Sequence, residues 1–224
     1  MKNRRLSLLQ NAHSYLKKID SSLYSEKPKI NRLYLKQALI MANPALKLPS
    51  YEDILNLPEH LIGEIVNGRL DMHPRPSPKH TLASSSLGGE LFPHFQKQGG
   101  SDGWWIIDEP ELHMGGHILV PDLAGWRKQR MPKLPETAWF ETVPDWICEI
   151  LSPSTTKIDR SEKMPIYAHL GVSFLWLIDP ILQTLEVYQL LDGHWSLLHS
   201  LKDADQVTAP PFESHTFPLS NLWE

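Results

Sequence analysis

Two acids in this sequence stand where acids are expensive. In PDWICEIL, residues 144–151, side chains of a strand-like run alternate between two faces. Ile147, Glu149 and Leu151 then share one face, and Trp146, Cys148 and Ile150 share the other. Glu149 is therefore a carboxylate within an otherwise apolar strand. Burying it alone costs several kcal/mol, so it requires a cation, a proton or a dense set of donors. Asp122 follows the apolar run Ile118-Leu119-Val120-Pro121. Two acids at the ends of buried strands make an oxygen-rich site of the kind that Mg²⁺ or Mn²⁺ prefers. The same residues have plainer uses: an Asp after Pro caps turns, and a lone strand Glu occurs on sheet edges. Spacing alone leaves both readings open.

The elements that must position these acids can be read along the chain. Residues 51–57 read as a short helix stopped by Pro58. GEIVNGRLDM, residues 63–72, reads as a hairpin about Asn67-Gly68. Ser77-Pro78 opens a helix through about residue 98, with Leu82, Leu87, Leu91 and Phe95 as its buried stripe. Residues 104–107 read as a strand, and 112–114 with 118–120 as a hairpin about Gly115-Gly116. The strand at 145–151 is followed by a helix at 159–170 that ends at Gly171, the usual C-terminal glycine. A buried strand at 174–178 and a hairpin of 184–191 with 194–198 complete the chain. This order predicts an α/β fold with a mixed central sheet flanked by helices and extra β-hairpins, not a regular doubly wound alternation. There is no internal repeat.

Composition sets the outer bounds. The 224 residues suit one domain with an extension, and the single Cys148 excludes a disulfide framework and favours a reducing compartment. No apolar run approaches the roughly 20 residues that span a bilayer. The basic start MKNRRLSLLQ is followed by no apolar core with a cleavage site, so no signal peptide is expected. The expected location is cytoplasmic, with no membrane partner. The net charge of −4 is unevenly spread: residues 1–40 carry nine Lys/Arg against Asp20 and Glu26, a balance of +7, which leaves −11 for the rest. Leu9, Ala12, Leu16 and Ile19 recur at helical spacing in that basic segment. Met41 opens MANPALKLPSYEDILNLPE, which reads as a natural beginning for the domain. The expected organisation is a loosely packed basic extension, 1–43, followed by one domain, 44–224. The eight tryptophans read as core filling, the eleven histidines show no paired metal spacing, and Cys148 reads as buried and inert.

Five blocks in order carry a resemblance: VPDLAGW (120–126), PDWICEILSPST (144–155), DRSEK (159–163), YAHLGV (167–172) and LWLIDP (175–180). With GEIVNGRL (63–70) and SPKH (77–80), the chain over about residues 50–190 resembles the Uma family. This is a widespread bacterial family of restriction-endonuclease-like proteins in the PD-(D/E)XK superfamily. The resemblance implies a nuclease-like domain over 44–224. Asp122 matches the aspartate of the PD half-motif, Glu149 the acid of the second half, and the Ile150 carbonyl the usual third metal ligand. Glu64 matches an early family glutamate, a further catalytic carboxylate or an exposed strand residue. His80 matches the SPxH block, where it orients a phosphate or water or caps a helix.

One departure is specific. The superfamily places a lysine two residues after the acid, and here that position is Leu151. The pattern offers Lys163 instead, on a helix face shared with Asp159 and Tyr167 at i, i+4 and i+8. The alternative is a solvated Lys163 paired with Asp159. The implied function is a metal-dependent endonuclease hydrolysing phosphodiester bonds, with Mg²⁺ or Mn²⁺ as cofactor and DNA as the expected nucleic acid. The rival is a nuclease-fold binding module that acts on DNA or a protein partner without hydrolysis. A homodimer is left open.

Overall fold

The computed structural model describes residues 48–97 and 103–224. The expected extension 1–43 and its helical stretch therefore lie outside the described residues. Helix α1, Tyr51–Leu55, starts on a capping box in which Ser50 and Asp53 bond reciprocally. Strands β1, Leu61–Val66, and β2, Arg69–Pro74, form the expected hairpin. Its turn residues Asn67 and Gly68 have φ of 52° and 66°. This is the primed turn whose twist matches that of the flanking strands.

Helix α2, Pro78–Leu91, begins with Pro78 in the first turn and Ser77 Oγ accepting the His80 N–H, then widens into a π-helical segment, Phe92–Lys97. Its buried stripe corrects the expected one. Leu82 is exposed, and Ala83, Leu87, Leu91 and Phe95, stepping by four residues, face the core.

Strands β3, Trp104–Asp108, β4, Leu112–Met114, and β5, His117–Leu119, follow in the expected order. Strand β6, Leu123–Arg127, was not expected as a separate element. It contains Gly125, a weak strand former, at a place where a Cβ would stand 3.1 Å from the Trp146 ring and 3.2 Å from the Trp104 ring. The glycine makes room for two indoles and so disguises the strand.

Strand β7, Trp146–Ile150, is buried throughout and forms the middle of a six-stranded sheet ordered β10-β9-β8-β7-β6-β3, with β8 spanning Phe174–Asp179, β9 Thr184–Leu191 and β10 His194–Lys202. All its pairs are antiparallel except β7–β8. That parallel pair requires a crossover, supplied by one continuous helix, α3, over 156–170. Its first turn, Thr156–Ile158, is α-helical, its middle, Asp159–Lys163, is π-helical, and Met164–Leu170 is α-helical again up to Gly171 at φ 84°. A four-stranded sheet, β2-β1-β5-β4, stands beside the large sheet. A short pair, β11 (Gln206–Val207) with β12 (Phe217–Pro218), and a 3₁₀ turn, Leu219–Leu222, close the chain. The architecture is the predicted mixed α/β fold with added hairpins. One core lies on the α2 side of the large sheet and contains Trp104, Trp146, Trp176 and Phe212; the other lies on the α3 side and contains Ile147, Leu151, Tyr167 and Leu177. Among the described residues no helix is long and apolar enough to cross a membrane.

Candidate active site

The two sheets meet where the chain passes from β5 to β6 through Val120, Pro121 and Asp122. Asp122 therefore does not end a strand, as the sequence suggested; it sits in the crossing, just before β6. Antiparallel pairing places Leu123 opposite Cys148, which brings Asp122 alongside the end of β7. There its Oδ2 accepts the Ile150 N–H at 2.6 Å. A residue's N–H and C=O leave a strand in the same direction, so the Ile150 carbonyl opens toward Asp122 as well. His80, in the first turn of α2, reaches Asp122 Oδ1 with Nε2 at 3.2 Å.

Glu149 projects from the α3 face of β7, as its parity required, and Cys148 lies in the opposite core. Its Oε1 accepts the Tyr167 hydroxyl at 2.5 Å and Lys163 Nζ at 2.8 Å. Glu64, on β1, accepts Lys163 Nζ at 3.1 Å and the Val120 N–H at 2.7 Å, and His73 Nε2 stands 3.7 Å away. Asp159 Oδ1 is 3.8 Å from Lys163 Nζ. Glu64, Asp122, Glu149, Asp159, Lys163 and His80 all border one cleft of about 270 Å³. Leu151 is packed in the α3-side core and contributes nothing polar there.

The π turn explains how α3 supplies three groups to one place. Four residues of α-helix overshoot a full turn by about 40°, so Asp159, Lys163 and Tyr167 would drift apart. A π turn takes more residues per revolution and recovers part of that drift. Lys163, with its side chain 3% exposed, is enclosed by the acids and not paired with Asp159 in solvent. Glu64 is likewise buried and not an exposed strand residue.

Three buried acids, Glu149, Glu64 and Asp159, thus surround one ammonium. Burial pushes the Glu149 carboxyl well up, and Asp159, Asp122 and Glu64 add to the shift against the opposing pull of Lys163. Burial also raises Asp159. In Glu64 the burial effect is outweighed by Lys163, His73 and the Val120 N–H, which bring its pKa down to about 2. Burial opposes the charge on Lys163, but Glu149 and Glu64 dominate and hold its pKa well up. His73 is raised by its bond to Glu64. In His80 burial lowers the pKa, but Asp122 and the Ile150 carbonyl give a net rise.

The donor set suits a hard divalent cation. Glu149 Oε2 takes no hydrogen bond among the described residues, and Asp122, which accepts the Ile150 N–H, lines the same cleft. Among the described residues no three His, Cys, Asp or Glu side chains stand together closely enough to hold a metal on their own.

Two groups at the cleft had no role in the sequence reading. Tyr167 was placed on the right helix face, but nothing local marks its hydroxyl as a partner of Glu149. His73 pairs across the hairpin with Ile62, two residues before Glu64, so the same side of the hairpin carries both. Strand parity alone could have found it.

The family model described as Uma2, putative restriction endonuclease, matches residues 49–220. The chain is similar to the crystal structure of a putative nuclease belonging to DUF820 from Anabaena variabilis ATCC 29413. The TM-score is 0.63 at 26% identity, over 78% of this chain and 97% of that one. No curated protein matches. The family match takes in α1, both sheets and every residue of the cleft, and the chain belongs to the Uma2 putative restriction endonuclease family.

Proposed function

We propose that this protein is a divalent-metal-dependent endonuclease that hydrolyses phosphodiester bonds in DNA. The observation that carries the reading is the charge imbalance at the cleft: Glu64, Glu109, Asp122, Glu149 and Asp159 line it against Lys163 and Arg75. Family membership and the likeness to a nuclease structure support it. Asp122, Glu149 and the Ile150 carbonyl would hold Mg²⁺ or Mn²⁺. Such a cation, when bound, lowers the pKa of a water and offsets charge on the scissile phosphate.

The chain's own residues do the rest. Lys163 takes the charge role that Leu151 cannot fill, arriving from α3 instead of β7. Its ammonium fixes Glu149 and is a preorganised cation for an attacking water or a phosphoryl oxygen. Glu64 fixes Lys163 in turn and ties it to the Val120 backbone, two residues from Asp122. His80 steadies the other oxygen of Asp122 from α2. Each reactive group is thus held by a second element, as an accurate site requires.

The test is cleavage of supercoiled plasmid and single-stranded DNA with Mg²⁺ or Mn²⁺, against a chelator control and Glu149→Ala. The expected result is metal-dependent cleavage lost in Glu149→Ala. DNA binding without cleavage under either metal would instead assign the nuclease-fold binding module, and cleavage undiminished in Glu149→Ala would remove this cleft from the chemistry.

A further inference from the structure

Both donors that reach Glu149 land on the same atom. The Tyr167 hydroxyl donates to Oε1 at 2.5 Å, and Lys163 Nζ donates to it at 2.8 Å. A carboxylate oxygen offers about two lone-pair directions, so Oε1 is filled. Oε2 takes no donor among the described residues, yet Glu149 borders the cleft and Oε2 is not a sealed, unsatisfied atom. The two oxygens of one carboxylate therefore have different surroundings: one is saturated from the core side, and the other is left to the cleft.

The two donors do not contribute equally to that asymmetry. The Lys163 ammonium is shared with Glu64 at 3.1 Å and Asp159 at 3.8 Å, and it ends a flexible four-carbon stem. It can follow Glu149 through a rotation. Tyr167 is fully buried, and its ring is packed in the α3-side core with Ile147, Leu151 and Leu175. A ring so held carries its hydroxyl at a fixed point. The terminal torsion of a glutamate is broad when nothing holds it, and one fixed donor is enough to define which oxygen faces which way. Lys163 and Tyr167 stand four residues apart where α3 is α-helical, so they share a helix face and both reach Oε1.

We propose that Tyr167 is a positioning residue that turns Glu149 so that Oε2 alone faces the cleft as a one-oxygen ligand for a divalent cation. This deepens the metal-dependent reading above and rests on it. A merely structural tyrosine would need an acceptor only to satisfy its own hydroxyl. Removing that hydroxyl would then leave Glu149 held by Lys163, with cation uptake unchanged.

The experiment titrates Mn²⁺ into the full-length wild-type protein and Tyr167→Phe, following free Mn²⁺ by its electron paramagnetic resonance signal. Circular dichroism melting is run in parallel. Phe keeps the ring and its volume, so the variant is expected to fold and melt cooperatively. Its Mn²⁺ dissociation constant should rise by about 10–100-fold, the usual effect of losing a group that orients a metal ligand. In plasmid cleavage the half-activating metal concentration should rise by the same factor. Equal Mn²⁺ affinity in a folded Tyr167→Phe protein overturns the inference and leaves the metal-dependent reading standing. A Tyr167→Phe chain that does not fold also overturns it, because the hydroxyl is then structural. A wild-type protein that takes up no Mn²⁺ removes the metal-dependent reading and this inference together.

Discussion

Strand β7 buries both of its faces, and the two faces are built on opposite terms. Toward α2, Trp146, Cys148 and Ile150 enter a core where Trp146 meets Trp176 edge-on at 5.6 Å and Phe212 at 4.9 Å. Toward α3, Ile147 and Leu151 flank Glu149, which meets Tyr167 and Lys163. The first face is stabilising by removal of apolar area from water, and each ring contributes separately. The second carries ions whose desolvation opposes folding. It persists only as a set, because each charge is tolerable only while its partners are present. A face of the first kind tolerates loss of one member in proportion to what is lost. A face of the second kind fails when any one member leaves.

The largest expected effect follows from that difference. Lys163→Ala strands Glu149 and Glu64 without their shared cation, and breaking such a buried pair costs about 3–5 kcal/mol. In a domain of this size each kcal/mol lowers Tm by about 2–4 °C. On the proposed function, cleavage should also fall by about 10²-fold or more. From sequence alone a catalytic Lys163 would leave Tm nearly unchanged, since an exposed helix lysine was the only structural alternative. Burial removes that separation. An unchanged Tm in Lys163→Ala would show that the acids take protons or water in place of the ammonium.

Trp176→Ala tests the other face. Removing a fully buried indole should cost about 3–5 kcal/mol through lost transfer energy and a cavity. Mn²⁺ affinity of the folded fraction should not change, because Trp176 lies across the sheet from Glu149. A shift in that affinity would couple the two faces and break the comparison.

The apolar face was legible in the sequence, and the charged face only in part. Alternation in WICEI predicted which residues share a side, and turn chemistry at Asn67-Gly68 and Asp192-Gly193 placed two hairpins. Glu149 and Asp122 stood out as acids in apolar runs, and the family motifs marked them together with Lys163. Their partners were harder to find, since what satisfies a buried charge comes from elsewhere in the chain: Glu64 is held by the Val120 N–H, 56 residues away. Strand β6 was hidden by Gly125, whose reason is two tryptophans on other strands. The π turn in α3 has no local signature in DRSEK. Residue pattern reports burial and period; it does not report which donor meets which acceptor.

A third, smaller effect appears with pH. Glu64 titrates at about 2 in the folded chain, below its ordinary 4.5. A depressed carboxyl contributes stability that is complete above the unfolded pKa and is lost as pH falls through the folded one. Stability should therefore decline between pH 4.5 and about 2 by an amount on the order of 3 kcal/mol from this group. Urea unfolding across that window, with Glu64→Gln beside wild type, checks it. The variant should show a shallower acid decline, and an identical slope would remove Glu64 as the source.

The smallest effect sharpens the contrast most, because the same two elements are joined twice at the same distance. Inside, Glu64 of the β1–β2 hairpin meets Lys163 of α3 at 3.1 Å, both side chains no more than 4% exposed. Outside, Arg69 of that hairpin meets Glu162 of α3, also at 3.1 Å, with the arginine 54% exposed. The distance is matched, so the differences are solvent and the further acids around Lys163, Glu149 at 2.8 Å and Asp159 at 3.8 Å. An exposed pair gains little in high dielectric and loses side-chain entropy on forming, and is worth about 0.2–1 kcal/mol. Arg69 also bonds Asp71 at 2.9 Å, so part of its energy belongs to its own strand. Arg69→Ala should therefore lower stability by no more than about 1 kcal/mol, and that loss should vanish at high salt. At 1 M the screening length is about 3 Å, shorter than the pair's reach through water, while the enclosed pair is hardly screened. Unfolding of wild type, Arg69→Ala and Lys163→Ala at low and high salt separates the cases. The Arg69 difference should disappear, and the Lys163 difference should remain. A salt-sensitive Lys163 effect would mean that water enters between Glu64 and Lys163, and the enclosed cluster would then be no different in kind from the surface pair.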